Sequence, residues 1–299
     1  AGTVLSMSGN NTHGVKLTGP LTLQGDAAIQ GVSLSGQDCL LTLNGGISGS
    51  ATDELGLGGG TSPLNLTINA ASTYGGGTTM TGGNVTLNAA NALGTGGLSM
   101  SGGTLIVNNT GAINGSVSLS SGNVTLNAAG ALNGSVSLTG GTLRSNGSDL
   151  LSSNPISLQG GTLDIRNNTS SSLLTGTLNI NGTATLNLAN NGAGSSQVII
   201  IPSLNVTGDS TLTLTNANNY VPLISSISLA GNLTLSHTIT TRIQSVSEDA
   251  SPRTLIKTGT GTLELEGAST HSGGTEAHAG LLLVEHASAL GSGALTLGP

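Results

Sequence analysis

The sequence between residues 81 and 161 repeats itself every 19 to 20 residues. The units begin at Thr81, Ser101, Ser121, Thr139 and Gln159, and equivalent strand residues such as Leu105, Val124 and Leu143 lie 19 or 20 residues apart. Each unit holds two short runs in which apolar and polar residues alternate, which is the pattern of a strand with one buried face. Glycine pairs separate these runs, as tight turns with positive backbone torsions require. Repetition at this short period predicts that the units stack on one another as a solenoid.

Stacked units place equivalent apolar residues above one another in inward-facing columns. The first strand supplies two columns, which are Val85, Leu105, Val124, Leu143 and Leu163, and Leu87, Val107, Leu126, Ser145 and Ile165. The second strand supplies Leu98, Val117, Val136 and Ile156, and then Met100, Leu119, Leu138 and Leu158. A third face consists of Leu93, Ile113, Leu132 and Leu151. Three buried faces per unit predict an all-β fold, a right-handed parallel β-helix in the form of a three-sided solenoid.

The composition suits a narrow lumen that is filled by aliphatic columns. Phe and Trp are absent and Tyr occurs twice, so the chain lacks the aromatic bulk of a thick globular core. Charged residues make up 6 %, against roughly 25 % in a typical soluble domain, which argues against helices organised by charged faces. The lone Cys39 cannot form an intramolecular disulfide, and its apolar neighbours predict a buried thiol.

Between the apolar columns, the outward positions are mostly small and polar. One outward column consists of Ser99, Ser118, Ser137 and Ser157. These serines carry no charge over four successive coils, so they offer little to repel a second molecule, and we predict that they form a contact face. A second set, which lies where the first strand turns, consists of Asn88, Asn108, Asn127 and Asn146. It predicts a ladder of side-chain amides along the axis.

The whole chain, residues 1–299, is predicted to be a single β-helical segment without an internal domain boundary. Regular coils cover about residues 81–170, and longer coils with loops cover about residues 171–256. Coils are therefore expected to contain about 19–26 residues. The predicted loops are Asn190–Gln197, Asn216–Pro222 and Gln244–Arg253.

The C-terminal segment, residues 257–298, carries a distinct motif. It has a G-T-G-T-L opening, a G-G-T turn at Gly273–Thr275 and an A-L-G-x-G-x-L-x-L close at Ala289–Leu297. These features resemble the autotransporter-associated β-strand repeat of passenger domains in bacterial type V secretion. A second copy lies at Ser72–Met100, where aligning Ser72 with Ser269 matches 12 of 29 positions without a gap.

The resemblance implies a β-helical passenger that a Gram-negative bacterium exports to its cell surface or sheds into the extracellular space. It also implies a translocator barrel, which we expect outside this chain, beyond Pro299. The apolar runs of the chain itself are too short to span a bilayer, so no membrane insertion by this segment is expected. Its six Lys and Arg residues are scattered, which argues against nucleic acid as a partner.

Acidic residues and histidines gather near the C-terminus, at Glu264, Glu266, His271, Glu276, His278, Glu285 and His286. Glu264 and Glu266 alternate with apolar residues, which places both carboxylates on one outer face. The set lacks the ligand spacing of a zinc site, and the chain has no H-E-x-x-H, G-x-S-x-G or P-loop pattern. We therefore predict a solvated outer face, with no catalytic or metal-binding residues, no cofactor and no enzymatic activity.

These features favour an extracellular β-helical stalk or adhesive passenger that mediates adhesion or self-association through its polar outer faces. The expected partner is a second copy of the chain or a host or glycan surface. One alternative is a passive scaffold that presents an activity encoded elsewhere in the full chain. A third is a glycan-active β-helical enzyme, which requires carboxylates that meet on one face of adjacent coils.

Overall fold

The computed structural model describes residues 2–8, 14–32, 38–147, 155–172, 176–192 and 195–298. The chain divides into two compact units, Ala1–Ser145 and Asn146–Pro299. All regular structure in the described residues is β-strand, and the named strands pair in parallel within each unit. The prediction of an all-β parallel β-helix is confirmed. The assignment of residues 1–299 to a single segment stays a prediction.

The strands of the first unit are short and form two extended sheets. In chain order they are β1 (Thr3–Met7), β2 (Val15–Leu17), β3 (Leu21–Thr22), β4 (Ala27–Gly31), β5 (Cys39–Leu43), β6 (Ile47–Ser48), β7 (Glu54–Leu57), β8 (Leu64–Ile68), β9 (Gly77–Met80), β10 (Asn84–Leu87), β11 (Leu98–Met100), β12 (Thr104–Val107), β13 (Val117–Leu119), β14 (Asn123–Leu126), β15 (Val136–Leu138) and β16 (Thr142–Ser145). Sheet 1A has the order β1-β4-β7-β9-β11-β13-β15 and sheet 1B the order β2-β5-β8-β10-β12-β14-β16, while β3 pairs with β6.

The second unit has three sheets, one for each side of the coil. In chain order its strands are β17 (Ile156–Leu158), β18 (Thr162–Arg166), β19 (Ser171–Ser172), β20 (Leu178–Ile180), β21 (Thr183–Ala189), β22 (Val198–Ile201), β23 (Leu204–Val206), β24 (Ser210–Asn216), β25 (Val221–Ile224), β26 (Ile227–Leu229), β27 (Leu233–His237), β28 (Thr241–Ile243), β29 (Val246–Glu248), β30 (Leu255–Thr258), β31 (Thr262–Leu265), β32 (Thr275–Ala277), β33 (Leu281–Val284) and β34 (Leu295–Leu297). Sheet 2A is β17-β20-β23-β26-β29, sheet 2B is β18-β21-β24-β27-β30-β32-β34, and sheet 2C is β19-β22-β25-β28-β31-β33.

The strand register confirms the predicted inward columns within the units. In sheet 1B, Val85 pairs with Leu105, Leu105 with Val124, and Val124 with Leu143. These four side chains are at most 1 % exposed. Burial of one such aliphatic side chain contributes about 1.5–3 kcal/mol, so the columns supply most of the driving force for stacking.

The third predicted column runs through turns in the first unit. Ile113 and Leu132 form an isolated parallel bridge, and they and Leu93 are at most 1 % exposed. Leu151, the fourth predicted member, lies outside the described residues. Each regular coil of this unit therefore buries three faces around an aliphatic lumen.

Glycine is required at the turn that joins sheet 1A to sheet 1B. Gly103 lies between β11 and β12 with a φ of 88°. A Cβ atom at this position would come within 2.5 Å of the carbonyl oxygen of Gly83 in the preceding coil. The residue therefore needs both a left-handed backbone and the absence of a side chain.

The two tyrosines of the chain are both fully buried. Tyr74 Oη is hydrogen-bonded to Thr78 Oγ1 at 2.7 Å. Tyr220 Oη donates a hydrogen bond to the carbonyl oxygen of Asn167. Each phenol thus keeps a polar partner inside the lumen, as a buried hydroxyl requires.

Coil lengths extend beyond the predicted range of about 19–26 residues. Ala27 pairs with Leu55, and Thr183 pairs with Thr211, which makes each of these coils 28 residues long. A coil tolerates such insertions because only its strands must keep register, while extra residues leave at the corners.

Two of the predicted loops are shorter than expected. Asn216 is the last residue of β24 and Val221 is the first of β25, so the strands enclose only residues 217–220. The strand Val246–Glu248 lies inside the segment predicted as the loop Gln244–Arg253. Both segments contain more backbone pairing than their turn-rich composition indicates.

The predicted amide ladder is present in the first unit and is longer than expected. Each side-chain amide donates to the Oδ1 atom of the asparagine one coil earlier, at 2.8–2.9 Å. The rungs are Asn44, Asn69, Asn88, Asn108 and Asn127. Asn146, the last predicted rung, belongs to the second unit.

Candidate functional site

The serine column that was predicted as a contact face lies on the outer side of sheet 1A. Ser99 pairs with Ser118, and Ser118 pairs with Ser137. Ser99 and Ser118 are exposed, and Ser137 is half-buried. Ser157 lies on β17 in the second unit, where it pairs with Asn179. The structure therefore aligns three of the four predicted serines within one unit.

The same outward column continues toward the N-terminus beyond the serines. Thr79 pairs with Ser99, Gly56 with Thr79, and Ala28 with Gly56. These residues are small and uncharged, like the serines. Six neighbouring strands of sheet 1A, from β4 to β15, therefore present one flat and uncharged row of side chains.

A shallow groove runs beside this row. Its lining includes Gly77 and Gly97, which have no side chains, together with Ser99 and Ser118. The volume of the groove is about 290 Å³, and the exposed Glu54 lies at its border. Hydroxyl groups along such a groove offer several weak hydrogen bonds, which suits an extended polar ligand or a like surface.

The second unit has a comparable uncharged column on the outer side of sheet 2A. After Ser157 and Asn179, the successive strands place Asn205, Ser228 and Ser247 in register. Asn205 donates from its amide to Asn179 Oδ1 at 3.3 Å. The small, uncharged outer face that the sequence predicts around Ser157 is therefore present in this unit as well.

Glu264 and Glu266 lie on the outer side of sheet 2C, where both carboxylates contact the same arginine. Arg242 Nε lies 3.6 Å from Glu264 Oε2 and donates a hydrogen bond to Glu266 Oε1. Arg242 pairs directly with Glu264 across the strands, 22 residues along the chain. Sequence reasoning missed this ion pair, although the separation of one coil length was the signal that could have revealed it.

The expectation that His271 lies on a solvated outer face is wrong, because this side chain is fully buried. His271 Nε2 is hydrogen-bonded to Thr275 Oγ1 at 3.0 Å, and Nδ1 is buried without a partner among the described residues. Burial lowers the pKa of His271, and the negative charge of Glu248 only partly opposes this effect. The ring is therefore neutral in the folded chain near pH 7.

The position of His271 corresponds to that of Tyr74 in the other copy of the motif. Tyr74 contacts Thr78 as His271 contacts Thr275, four residues along the chain in both cases. Ser72 Oγ and Ser269 Oγ each accept a hydrogen bond from a backbone N–H of the preceding coil. The alignment of Ser72 with Ser269 thus pairs residues that have the same structural roles.

Two further polar side chains, which sequence reasoning did not single out, lie in the lumen of the second unit. Lys257 is fully buried, and its Nζ donates to the carbonyl oxygens of Gly259 at 3.0 Å and Ala279 at 2.6 Å. His237 is buried one coil earlier, and its Nε2 has no partner among the described residues. Burial lowers the pKa of both groups, and the charge of Lys257 lowers that of His237 further.

The remaining members of the C-terminal set do not converge on a site. Glu276 and His278 form an exposed pair at 2.9 Å, and Glu285 and His286 are exposed. Within the described ranges, no group of three or more His, Cys, Asp or Glu side chains is arranged to hold a metal ion. The set therefore divides into residues of the outer surface and the buried His271.

Two segments of the chain, residues 204–221 and 255–284, match the family model of the passenger-associated-transport-repeat. Both segments lie in the parallel sheets of the second unit. Both findings fit an autotransporter passenger domain with repeats. No curated protein and no solved structure matches the chain.

The second matched segment overlaps the motif that the sequence placed at residues 257–298. The first matched segment, residues 204–221, lies where sequence reasoning found only alternation. A passenger domain, which the repeat match and the solenoid fit, implies secretion to the cell surface or the extracellular space. The described residues of the chain contain no helix that could span a membrane.

Proposed function

We propose that this passenger acts at the bacterial surface as a non-enzymatic adhesive or self-associating stalk, through its polar outer faces. The observation that carries the proposal is the uncharged outward row of sheet 1A, where six strands place only Ala, Gly, Thr and Ser in register. Such a row carries no charge that could repel a second molecule, and the hydroxyl groups of its four Thr and Ser residues recur at the strand spacing of about 4.8 Å.

Individual contacts with such a face are weak, so the expected function depends on their number. A regular row can form the same contact on each coil, and many displayed copies can act at once. Linked weak contacts of this kind gain strength from effective concentration rather than from one deep pocket. A second copy of the chain and a polyhydroxylated glycan are both suited to this chemistry.

The non-enzymatic part of the proposal is supported by the partners of the acidic groups. Asp164 is paired with Arg166, Asp249 with Arg253, and Glu266 with Arg242, which engages these carboxylates in ion pairs. Catalysis of glycan cleavage needs two carboxyl groups that face a common substrate. Each of the three carboxylates named here contacts an arginine of the chain instead.

A double lysine substitution on the serine row tests the proposal. Bacteria that display Ser118→Lys/Ser137→Lys should settle and cluster, or bind host cells, more slowly than bacteria that display the native passenger. The two added charges lie one coil apart, and between molecules they repel each other across the contact. High salt should restore part of the loss, because it screens that repulsion.

Thr67→Lys/Thr86→Lys is the matched control. These threonines also pair across adjacent coils, but they lie on the outer side of sheet 1B. Equal loss of clustering in both variants would show a nonspecific effect of charge. Unchanged clustering and adhesion in the serine variant, at equal surface display, would exclude the serine row and favour a passive scaffold.

A further inference from the structure

A column of four side chains on the outer side of sheet 2C differs from the polar columns elsewhere. Leu223 pairs with Arg242, Arg242 with Glu264, and Glu264 with Leu283 on four successive strands, β25, β28, β31 and β33. The order along the axis is therefore apolar, cationic, anionic and apolar. If the column is read in the opposite direction, the apolar ends stay apolar and only the cationic and anionic positions exchange.

The apolar members of this region are accessible. Leu283 is 39 % exposed and Leu281 is 56 % exposed, and both lie on the outer side of β33. On β25, Leu223 and Val221 are half-buried, whereas Ile224 next to them is fully buried. Larger aliphatic residues therefore border the charged pair on both sides along the axis, whereas the outward columns of sheets 1A and 2A have Ala, Gly, Ser, Thr or Asn.

In the described part of the chain, the guanidinium group of Arg242 has partners on one side only. Its Nε contacts Glu264 and Glu266, whereas its Nη1 and Nη2 atoms make no hydrogen bond with any described residue. The side chain is 34 % exposed and that of Glu264 is 23 % exposed. A second carboxylate can therefore reach the outer edge of the guanidinium group in the geometry that arginine prefers.

We propose that a second copy of the chain binds this face with its coils in reverse order, about a two-fold axis between β28 and β31. In this arrangement Arg242 faces Glu264 of the second copy, and Leu223 faces Leu283 of the second copy. Val221 likewise faces Leu281 of the second copy. The contact is isologous, since the same residues serve on both sides.

The equal strand spacing of the two copies lets the ionic and apolar contacts form together. Both copies repeat at the same spacing of about 4.8 Å, so alignment of the central ion pairs also aligns the apolar residues on either side. The face spans four coils, which is small for a stable dimer, and it therefore suits weak association between many displayed copies. This inference rests on the proposed self-association, and it names the surface and the partner.

Reversal of single charges tests the contact. In purified chains, Arg242→Glu and Glu264→Arg should each lower the dimer association constant by about tenfold or more, because each places like charges opposite each other. An equimolar mixture of the two variants should associate again, since every facing pair in the mixed dimer joins Arg to Glu. Sedimentation velocity measures each state, and thermal melting verifies the fold of each variant.

Two further variants keep the test independent of folding. Leu281→Ser/Leu283→Ser changes exposed side chains and should weaken association while it leaves the melting temperature unchanged. Arg253→Glu reverses a loop arginine that is paired with Asp249 away from this face, and it should associate like the native chain. A charge effect at Arg253 as large as that at Arg242 would contradict the surface.

The proposal is wrong if the native chain stays monomeric at millimolar concentration, or if the mixture of charge variants fails to regain association. It is also wrong if the leucine variant dimerises normally. Cells that still cluster when they display Arg242→Glu retain the proposed function and exclude only this surface. Purified chains that follow the charge pattern, while displaying cells neither cluster nor adhere, retain the contact and exclude the function.

Discussion

At the scale of single residues, alternation decides which side chains face the lumen. Leu126 is fully buried, whereas the preceding Thr125 lies on the outer side of β14 and is half-buried. A shift of one residue would exchange the two, because side chains in a strand point to opposite faces. The same rule governs Leu138 on β15, which is also fully buried.

Substitutions at these positions should separate inward from outward residues. Leu126→Asp and Leu138→Asp place an unpaired charge in the lumen and should each lower the free energy of unfolding by about 3 kcal/mol or more. Thr125→Asp should cost less than about 1 kcal/mol, since its carboxylate stays in water. Urea denaturation measures all three. Similar midpoints for the three variants would refute the register of the coils.

The buried histidines make the stability of the folded chain depend on pH, which the aliphatic residues of the lumen do not. His237 and His271 have pKa values below the ordinary value of 6.5, since burial disfavours the protonated ring. Lys257 faces His237 from the next coil and disfavours a second cation there, whereas Glu248 partly compensates at His271. The unfolded chain therefore binds protons more readily than the folded chain.

Acid should consequently destabilise the chain. Its stability should be highest above pH 6.5 and should fall as the pH is lowered below that value, where unfolded histidines take up protons first. His271→Tyr should reduce this loss, because Tyr74 shows that a phenol suits the equivalent position beside a threonine. Thermal melting from pH 7.5 to pH 5 measures the effect. The exposed His278→Gln variant is the control, and an unchanged pH slope in His271→Tyr would contradict the assignment.

At the scale of elements, the asparagine ladder links coils that the apolar columns already stack. Each inner rung accepts one hydrogen bond and donates one, as Asn108 does with Asn127 and Asn88. The rungs are exposed, so water competes with each bond and its net contribution is small. The ladder therefore adds register to the stack rather than most of its stability.

Removal of an inner rung should have a measurable but limited effect. Asn108→Ala removes two hydrogen bonds between side-chain amides, and it should lower the free energy of unfolding by about 1–2 kcal/mol. Thr125→Ala, at an outward position in the same sheet, is the control and should change it by less than about 0.5 kcal/mol. Chemical denaturation distinguishes the two. Equal effects would show that the ladder contributes nothing beyond the side-chain surface that it covers.

At the scale of the whole molecule, both units obtain their stability from pairing between neighbouring coils. Their sheets join each strand to its counterpart one coil away, and the lumen is filled by aliphatic side chains. The chain has only 19 formally charged residues at pH 7, with six Lys and Arg and thirteen Asp and Glu. Charge therefore has a small part in the fold, whereas it has a central part in the proposed contact of sheet 2C.

Salt should separate these two roles. Between about 50 and 500 mM NaCl the melting temperature should move by less than about 3 °C, because few ion pairs are available to screen. Over the same range the association of native chains should weaken, since its central contact is ionic. Calorimetry and sedimentation measure the two quantities on one sample. A large drop in melting temperature with salt would show that ion pairs stabilise the coils.

The sequence alone was sufficient to predict the coiled architecture of the chain. The period of 19 to 20 residues, the alternation around Val85 and Val124, and the glycine turns determined the parallel solenoid and most of its inward columns. This success has a simple cause, because a repeated two-strand pattern can bury its apolar face only against the next repeat. The motif at residues 257–298 likewise indicated the passenger class before the fold was known.

Only the tertiary structure decided which polar residues are inside and which charges meet. His271 was predicted on the surface, because burial between strands depends on where the chain turns rather than on alternation. Lys257 was not singled out, because it occupies an inward position of β30 where alternation predicts an apolar residue. The contact of Arg242 with Glu266 depends on the length of the intervening coil, which loops change by several residues. Local pattern determines a strand, whereas these contacts are set by the register between coils that are distant in sequence.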